Sequence, residues 1–288
     1  MSLPQWLKKR APREDILREI KGLLRSYALH TVCEEAQCPN IGECFQKRTA
    51  TFLILGDICT RNCRFCAVKK EAPLPLDSQE PENVAQAVKK LGLRYVVITS
   101  VTRDDVSDGG AEQFAQTIKE MKKINRQEIR VEVLIPDFKG SLPSLKKVIE
   151  AKPDVLNHNL ETISHLYPQV RPQADYERSL ELLKRSKELD SSIYTKSGLM
   201  VGLGESFTEV IKTMENLREV ECNILTIGQY LRPSSQHLAV KEFVTPARFK
   251  EYQEIGQSLG FSYIASSPFV RSSYQAEQAL DKAIEKTT

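Results

Sequence analysis

No stretch of the 288-residue chain approaches the roughly 20 consecutive apolar residues needed to cross a bilayer, and the opening "MSLPQWLKKRAPRED" lacks the apolar segment of a secretory leader. Both absences point to a cytoplasmic protein that does not enter a membrane. Neither sign of charge prevails: 41 Lys and Arg stand against 38 Asp and Glu, a formal net charge of +3. So small an excess does not imply nucleic acid as a partner. The basic doublets Lys69-Lys70, Lys89-Lys90, Lys122-Lys123 and Lys146-Lys147 are dispersed, as on solvated helix faces. No low-complexity linker marks off a clear second domain. The four histidines, His30, His158, His165 and His237, have no metal-binding spacing, and none is assigned as a ligand.

What the chain does have is six clustered cysteines, and here too something is missing. "TVCEEAQCPNIGEC" holds Cys33, Cys38 and Cys44, and "DICTRNCRFC" holds Cys59, Cys63 and Cys66, with no fourth cysteine near either group. In a reducing compartment such clusters indicate metal or redox chemistry and not a disulfide framework. A structural zinc site is closed by four ligands. Completing two zinc knuckles with His30 or His158 would require a distant residue for each triplet. A cubane [4Fe-4S] cluster held by three thiolates instead leaves one iron open to a ligand or substrate. Cys222 stands apart and suits a small buried apolar position.

Apolar periodicity predicts an amphipathic helix over residues 13–28, with Ile16, Leu17, Ile20, Leu23, Leu24 and Tyr27 on one face. From residue 51 a strand–loop–helix pattern repeats six times. Its strands read as residues 51–56, 95–101, 130–136, 155–161, 195–203 and 224–231, several apolar on both faces as buried parallel strands are. A last strand-like segment, 262–268, and a helix around "AEQALDKAIEK" follow. The expected fold is α/β: a partial (β/α)6 TIM-like barrel over residues 49–261, with a doubly wound open sheet as the competing arrangement. In either, functional loops lie at the carboxyl ends of the strands, where Cys59, Cys63 and Cys66 fall.

C-x3-C-x2-C placed just after the first strand of a partial barrel resembles the radical S-adenosylmethionine (SAM) enzymes. "GLMVGLGE" (198–205) resembles that superfamily's G-x-I-x-G-x-x-E pattern, with Met200 in place of isoleucine. The N-terminal triplet, "TSVTRDDVSDGGA", "NHNLET", "GQYLRPSSQHL" and "VRSSY" narrow the resemblance to the lipoyl synthase family over about residues 29–276. Two local departures are Ser267, where glycine is usual, and "VKEFVTP", which replaces an arginine-tyrosine pair before the valine.

The resemblance implies a sulfurtransferase with two [4Fe-4S] clusters and SAM. One cluster, on Cys59, Cys63 and Cys66, binds SAM; the other, on Cys33, Cys38 and Cys44 with Ser273 as fourth ligand, donates sulfur to C6 and C8 of a protein-bound octanoyl-lysine. Without the resemblance, Ser273 would be taken as a helix N-cap. Phe65, Ser100, Asn159, Glu161, Arg171, Met200 and Gln229 are the implied cofactor-binding residues. Period-two alternation puts Asn159 and Glu161 on one strand face and His158 on the other, with structural hydrogen bonding as the alternative role for the pair. Arg171 could instead meet a surface acid. "DGG" (108–110) is a turn and helix start before it is a substrate-facing loop. The implied partners are octanoylated lipoyl carrier domains (2-oxoacid dehydrogenase E2 subunits and the glycine cleavage H protein), an electron donor and cluster-delivery proteins, with neither nucleic acid nor membrane. Residues 1–48 and 262–288 are expected to form extensions covering the open face. The rival class is a non-catalytic iron–sulfur carrier, which would not bind SAM.

Overall fold

In the computed structural model, which describes residues 3–8, 14–46, 50–125 and 129–287, the chain divides into two compact units. One comprises residues 11–61 and 67–156, the other residues 1–10, 62–66 and 157–288.

The first unit contains strands β1 (His30–Thr31), β2 (Thr51–Ile54), β3 (Tyr95–Ser100) and β4 (Arg130–Leu134), and most of β5 (Val155–Asn157). Its helices are α1 (Glu14–Ser26), α2 (Val32–Glu35), α3 (Ile41–Gln46), α4 (Glu80–Leu91), α5 (Ala111–Ile124) and α6 (Leu142–Glu150). β2, β3 and β4 are parallel, with Phe52 opposite Ile98 and Ile98 opposite Val133. Phe52, Leu53, Ile54, Val96, Val97 and Ile98 are all buried, so these strands are covered on both faces as their unbroken apolar runs require. Helix boundaries follow local chemistry. α4 ends at Gly92, whose φ of 66° lets its N–H reach the Lys89 carbonyl at 3.1 Å. α5 starts where the Asp108 carboxylate accepts the N–H groups of Gly110 and Glu112, both at 2.9 Å, so "DGG" is a helix start. On α1, Ile20 and Leu24 are buried and Leu23 and Tyr27 half-buried; Arg13 and the side chains of Ile16 and Leu17 lie outside the described residues.

The second unit carries β6 (Tyr194–Val201), β7 (Ile224–Gln229) and β8 (Tyr263–Ser266), again parallel, with α7 (Tyr167–Val170), α8 (Tyr176–Leu189), α9 (Phe207–Glu219), α10 (Pro246–Ser258) and α11 (Ala276–Thr287). A capping box between Ser206 and Glu209 opens α9, and Pro246 occupies the first turn of α10.

Strand order is that of the chain, β1 to β8. A doubly wound sheet reverses its strand order at a switch point, and this order never reverses. The winding is therefore that of a barrel left open, with β1 an antiparallel addition that the six-unit repeat did not anticipate. The strand expected over 155–161 is a second correction: β5 stops at Asn157, and Glu161 makes only an isolated bridge to Leu199. The Leu160 N–H is taken by the Ser197 hydroxyl at 3.2 Å, and Glu161 has φ of 66°, so the ladder cannot continue. Among the basic doublets, Lys69, Lys123, Lys146 and Lys147 all face carboxylates.

Candidate active site

The N-terminal triplet is carried by short helices. Thr31 ends β1 and caps α2, its hydroxyl accepting the Glu34 N–H at 3.3 Å; Cys33 sits in α2, Cys38 in the turn that follows and Cys44 in α3. The turns are closed from within the segment, Cys38 N–H to Cys33 O at 3.1 Å and Cys44 N–H to Asn40 O at 2.9 Å. Burial pushes the Cys33 thiol up to about 12, against hydrogen bonding from Thr51, and the neighbouring Cys38 and Cys44 add to the rise. Cys33 thus lies within electrostatic reach of Cys38 and Cys44.

The second triplet is divided between the units: Cys59 in the first, Cys63 and Cys66 in the second. The Cys59 sulfur accepts main-chain N–H groups from Thr102 at 3.3 Å and Arg61 at 3.4 Å, and its own N–H donates to Lys69 O at 2.9 Å. Such donors orient a sulfur and tune a cluster held by it. The Arg61 side chain, 5% exposed, grips Asp104 through two bonds of 2.7 and 3.0 Å and Asp137 through one of 2.6 Å. Burial opposes its charge, but the two carboxylates outweigh that and raise its pKa. This clamp was not assigned from the sequence, although Arg61 and Asp104 lie in the "CTRNC" and "TRDD" motifs. Ser100 closes β3 with its hydroxyl oxygen buried and unpartnered among the described residues.

In the second unit the Cys63–Cys66 turn is held from distant positions. Arg64 N–H donates to Val170 O at 2.9 Å, Leu238 N–H donates to Arg64 O at 3.2 Å, and His237 Nε2 lies 3.1 Å from Cys66 O. His237 is therefore a neighbour of the cysteine turn rather than a ligand. Phe65 is half-buried within it. Adjacent to Val170, Arg171 Nη1 donates to the carbonyls of Asn159 at 2.8 Å and Leu160 at 3.0 Å, and no surface acid is needed to place it. Asn159 Nδ2 donates to Glu161 Oε1 at 3.0 Å, and the Met200 N–H donates to Glu161 O at 2.8 Å. Asn159, Glu161, Arg171 and half-buried Met200 are thereby brought together. The shared side of Asn159 and Glu161 arises from this irregular turn and not from strand alternation. Burial raises the Glu161 pKa, while Arg171, the Asn159 amide and Arg271 oppose the rise.

Gln229 takes a different role from the expected one. Its amide nitrogen donates to the carbonyls of Val201, Tyr230 and Glu242 at 3.0, 3.1 and 2.9 Å, and its oxygen accepts the Val244 N–H at 2.8 Å. With both ends committed to main chain, it fastens the 230–245 loop instead of offering a ligand contact. In "GLMVGLGE", Glu205 accepts the N–H groups of Gly202 and Leu203 and folds the turn, while Gly202, at φ of 101°, has no room for a side chain beside Gln229. Ser273 is half-buried, and α11 begins at Ala276; the residue preceding that helix is Gln275, so Ser273 is not its N-cap. Cys222 is fully buried, its thiol pushed up to about 12 by that burial.

Six thiols in two groups of three are a donor set suited to iron–sulfur clusters. Zinc bound at roughly 2.3 Å by sulfur draws its ligand atoms to about 3.8 Å from one another. Among the described residues, the one trio of His, Cys, Asp or Glu whose ligand atoms lie within 4.8 Å of one another is His30, Glu35 and Asp57. The thiols of Cys33, Cys38 and Cys44 do not form such a trio. In the trio, Asp57 already pairs with Lys69 at 2.6 Å. A polar ligand also has waiting partners within single units: besides Ser100, the hydroxyls of Thr162 and of Ser266, which ends β8, are buried without a hydrogen-bond partner among the described residues. The end-of-strand position of Ser266 was a usable signal; nothing in the sequence marked Thr162.

The family model of the radical SAM superfamily matches residues 53–217, and that of the N-terminal domain of lipoyl synthase matches residues 1–38. The lipoyl synthase of Caldanaerobacter subterraneus subsp. tengcongensis is 59% identical over 280 residues, covering 97% of this chain and 98% of that protein. The lipoyl synthase of Aquifex aeolicus is 54% identical over 264 residues, covering 92% and 95%. Among solved structures, the [FeFe]-hydrogenase maturase HydG superposes with a TM-score of 0.61 at 16% identity, covering 95% of this chain and 60% of that one. Methylornithine synthase gives 0.57 at 14% identity, covering 86% and 74%. At those identities the structures speak for the fold, and the sequence relatives speak for the family. The chain belongs to the lipoyl synthase family of radical SAM enzymes.

Proposed function

We propose that this chain inserts two sulfur atoms, at C6 and C8, into an octanoyl group carried on a protein lysine, and that its two cysteine triplets divide the work. Cys59, Cys63 and Cys66 would hold the SAM-binding [4Fe-4S] cluster. Cys33, Cys38 and Cys44, with Ser273, would hold the auxiliary cluster that supplies sulfur. When bound, SAM and the clusters supply a reductively generated carbon radical and the sulfur atoms.

The chain's own part is to hold and orient. The Arg61 clamp fixes the loop that follows β2, and two main-chain N–H groups hold the Cys59 sulfur in place. Arg171, Asn159 and Glu161 offer one cation, an amide and one carboxylate, the complement of the charged carboxylate and ammonium of a methionine moiety. Phe65 and Met200 offer apolar surface for adenine, and Ser100 an unsatisfied hydroxyl. Residues 1–48 and 262–288 would act as extensions over the open face of the 49–261 barrel.

The substrates are octanoylated lipoyl carrier domains. The 2-oxoacid dehydrogenase E2 subunits and the glycine cleavage H protein are the proposed carriers, with an electron donor and cluster-delivery proteins as further partners in the cytoplasm. No helix of the described residues is long and apolar enough to cross a membrane.

The observation that carries this reading is the presence of both triplets in a chain 59% identical to a lipoyl synthase over nearly its full length. Anaerobic incubation of reconstituted protein with SAM, a reductant and an octanoyl-lysine peptide tests it. Mass spectrometry should find two added sulfurs. A protein that loads clusters but neither binds SAM nor alters the peptide would be an iron–sulfur carrier.

A further inference from the structure

The sequence motif RSSY offers two serines, and only Ser273 has a part in the reading above. The structure gives its neighbour Ser272 partners of its own. Ser272 Oγ lies 2.7 Å from Asn157 Nδ2 and 2.9 Å from Asn159 Oδ1, residues 115 and 113 positions away along the chain. Asn159 Nδ2 lies 3.0 Å from Glu161 Oε1. All four residues belong to the second compact unit.

Donor and acceptor logic fixes the direction of every bond. A carboxylate accepts, so Asn159 turns its NH2 toward Glu161 and its oxygen toward Ser272. The Ser272 hydroxyl must then donate to that oxygen, which leaves its lone pair to accept the Asn157 amide. The result is a one-way chain, Asn157 to Ser272 to Asn159 to Glu161, ending on a negative charge. Asn159 and Asn157 are buried and Glu161 half-buried, so the chain is shielded from competing water. It is also tightly enclosed. A Cβ at Gly198 would come within 2.8 Å of Asn159 Oδ1, so β6 itself leaves Asn159 little room to turn. Arg171 holds the Asn159 carbonyl from the other side at 2.8 Å.

We propose that Ser272 is a positioning residue for SAM, setting the Asn159 amide and through it the Glu161 carboxylate, so that the adjacent serines of one motif serve different centres. Ser273 acts at the auxiliary cluster and Ser272 at the SAM site. This rests on the reading that Asn159 and Glu161 contact SAM. It also explains why a serine, a group that donates and accepts at once, stands at 272: alanine supplies neither bond, and an acceptor-only residue would break the chain at Asn159.

The test compares wild-type holoprotein with Ser272→Ala and Ser272→Thr, reconstituted anaerobically, by equilibrium dialysis of labelled SAM and by the SAM-induced change in the electron paramagnetic resonance signal of the reduced protein. Ser272→Ala should weaken SAM binding by about tenfold, the consequence of a buried amide left unsatisfied. Ser272→Thr, which keeps the hydroxyl, should restore most of it, and iron content should not change in either. In cluster-free protein, the Asn159 carboxamide NMR resonances should shift in the alanine variant and not in the threonine one. Undiminished SAM affinity in Ser272→Ala, while the wild type binds SAM, overturns the inference and leaves the proposed function standing. Loss of iron from Ser272→Ala without rescue by threonine also overturns it, since the residue then serves cluster assembly or folding. A wild-type protein that binds no SAM brings down both.

Discussion

The two cysteine triplets have the same number of thiols and are built in different ways. The segment of Cys33, Cys38 and Cys44 closes its turns on itself: Cys38 bonds back to Cys33, Ile41 to Cys38 and Cys44 to Asn40. Cys66 likewise bonds back to Cys63, but the loop of Cys59, Cys63 and Cys66 is also reached from far along the chain, by Thr102 in one unit and by Val170, His237 and Leu238 in the other. A loop braced by distant main chain keeps its geometry through repeated turnover, because no single local fluctuation releases it. In the proposed assignment, the first triplet would hold the cluster given up as sulfur donor and the second the cluster that binds SAM.

Variants can break this comparison from either side. The largest effect is expected at Ser273, the proposed fourth corner of the auxiliary site. A neutral hydroxyl must give up its proton to bind iron strongly, and an oxygen-held iron leaves more readily than a thiolate-held one. Ser273→Ala should lower product formation by about a hundredfold, the upper end of what losing a ligand or its support does. It should also alter the auxiliary-cluster spectrum while leaving reductive SAM cleavage largely intact. An unchanged spectrum with wild-type product would remove Ser273 from the site.

Arg61→Ala attacks the durable loop. It strips Asp137, 1% exposed, and Asp104 of their shared cation, at a cost to stability of about 3–5 kcal/mol for a broken buried pair. Denaturant titration should show that loss, and SAM cleavage should fall together with it. Arg61→Lys should recover only part, because an ammonium cannot make the two-pronged contact with Asp104. A lysine variant equal to wild type in both measurements would show that the clamp contributes charge alone.

The smallest effect belongs to Cys222, the cysteine of neither triplet. Its sulfur lies 3.4 Å from Ile224 O inside the core, and burial keeps it protonated. Cys222→Ala should retain both iron content and activity, with a stability loss of about 1 kcal/mol from the small cavity. Loss of a cluster in that variant would mean that the thiol takes part in assembly.

Much of this was legible in the sequence because it is written in short-range pattern. Apolar runs marked β2, β3, β4, β6 and β7, and cysteine spacing with the residue context marked both triplets. What was not legible depends on contacts between distant residues. The early end of β5 is decided by the Ser197 hydroxyl, which takes the Leu160 N–H from another strand. Gln229 looked like a site residue because it closes a strand, yet its amide is occupied by the carbonyls of Val201 and Glu242, a loop path that no period reveals. Arg61 stood in plain view between two cysteines, but its meaning lies in Asp104 and Asp137, 43 and 76 positions away. Only the folded chain shows Ser272 of RSSY turned to Asn157 and Asn159.

The division of labour between the triplets can be tested in one paired measurement. The variant with Cys33, Cys38 and Cys44 all changed to alanine, and the variant with Cys59, Cys63 and Cys66 all changed to alanine, are reconstituted anaerobically and given SAM, reductant and octanoyl-lysine peptide. 5′-Deoxyadenosine and peptide mass are followed together. The account predicts that the first variant forms 5′-deoxyadenosine and adds no sulfur, and that the second forms neither product. Lipoyl peptide from the first variant, or 5′-deoxyadenosine from the second, would contradict it.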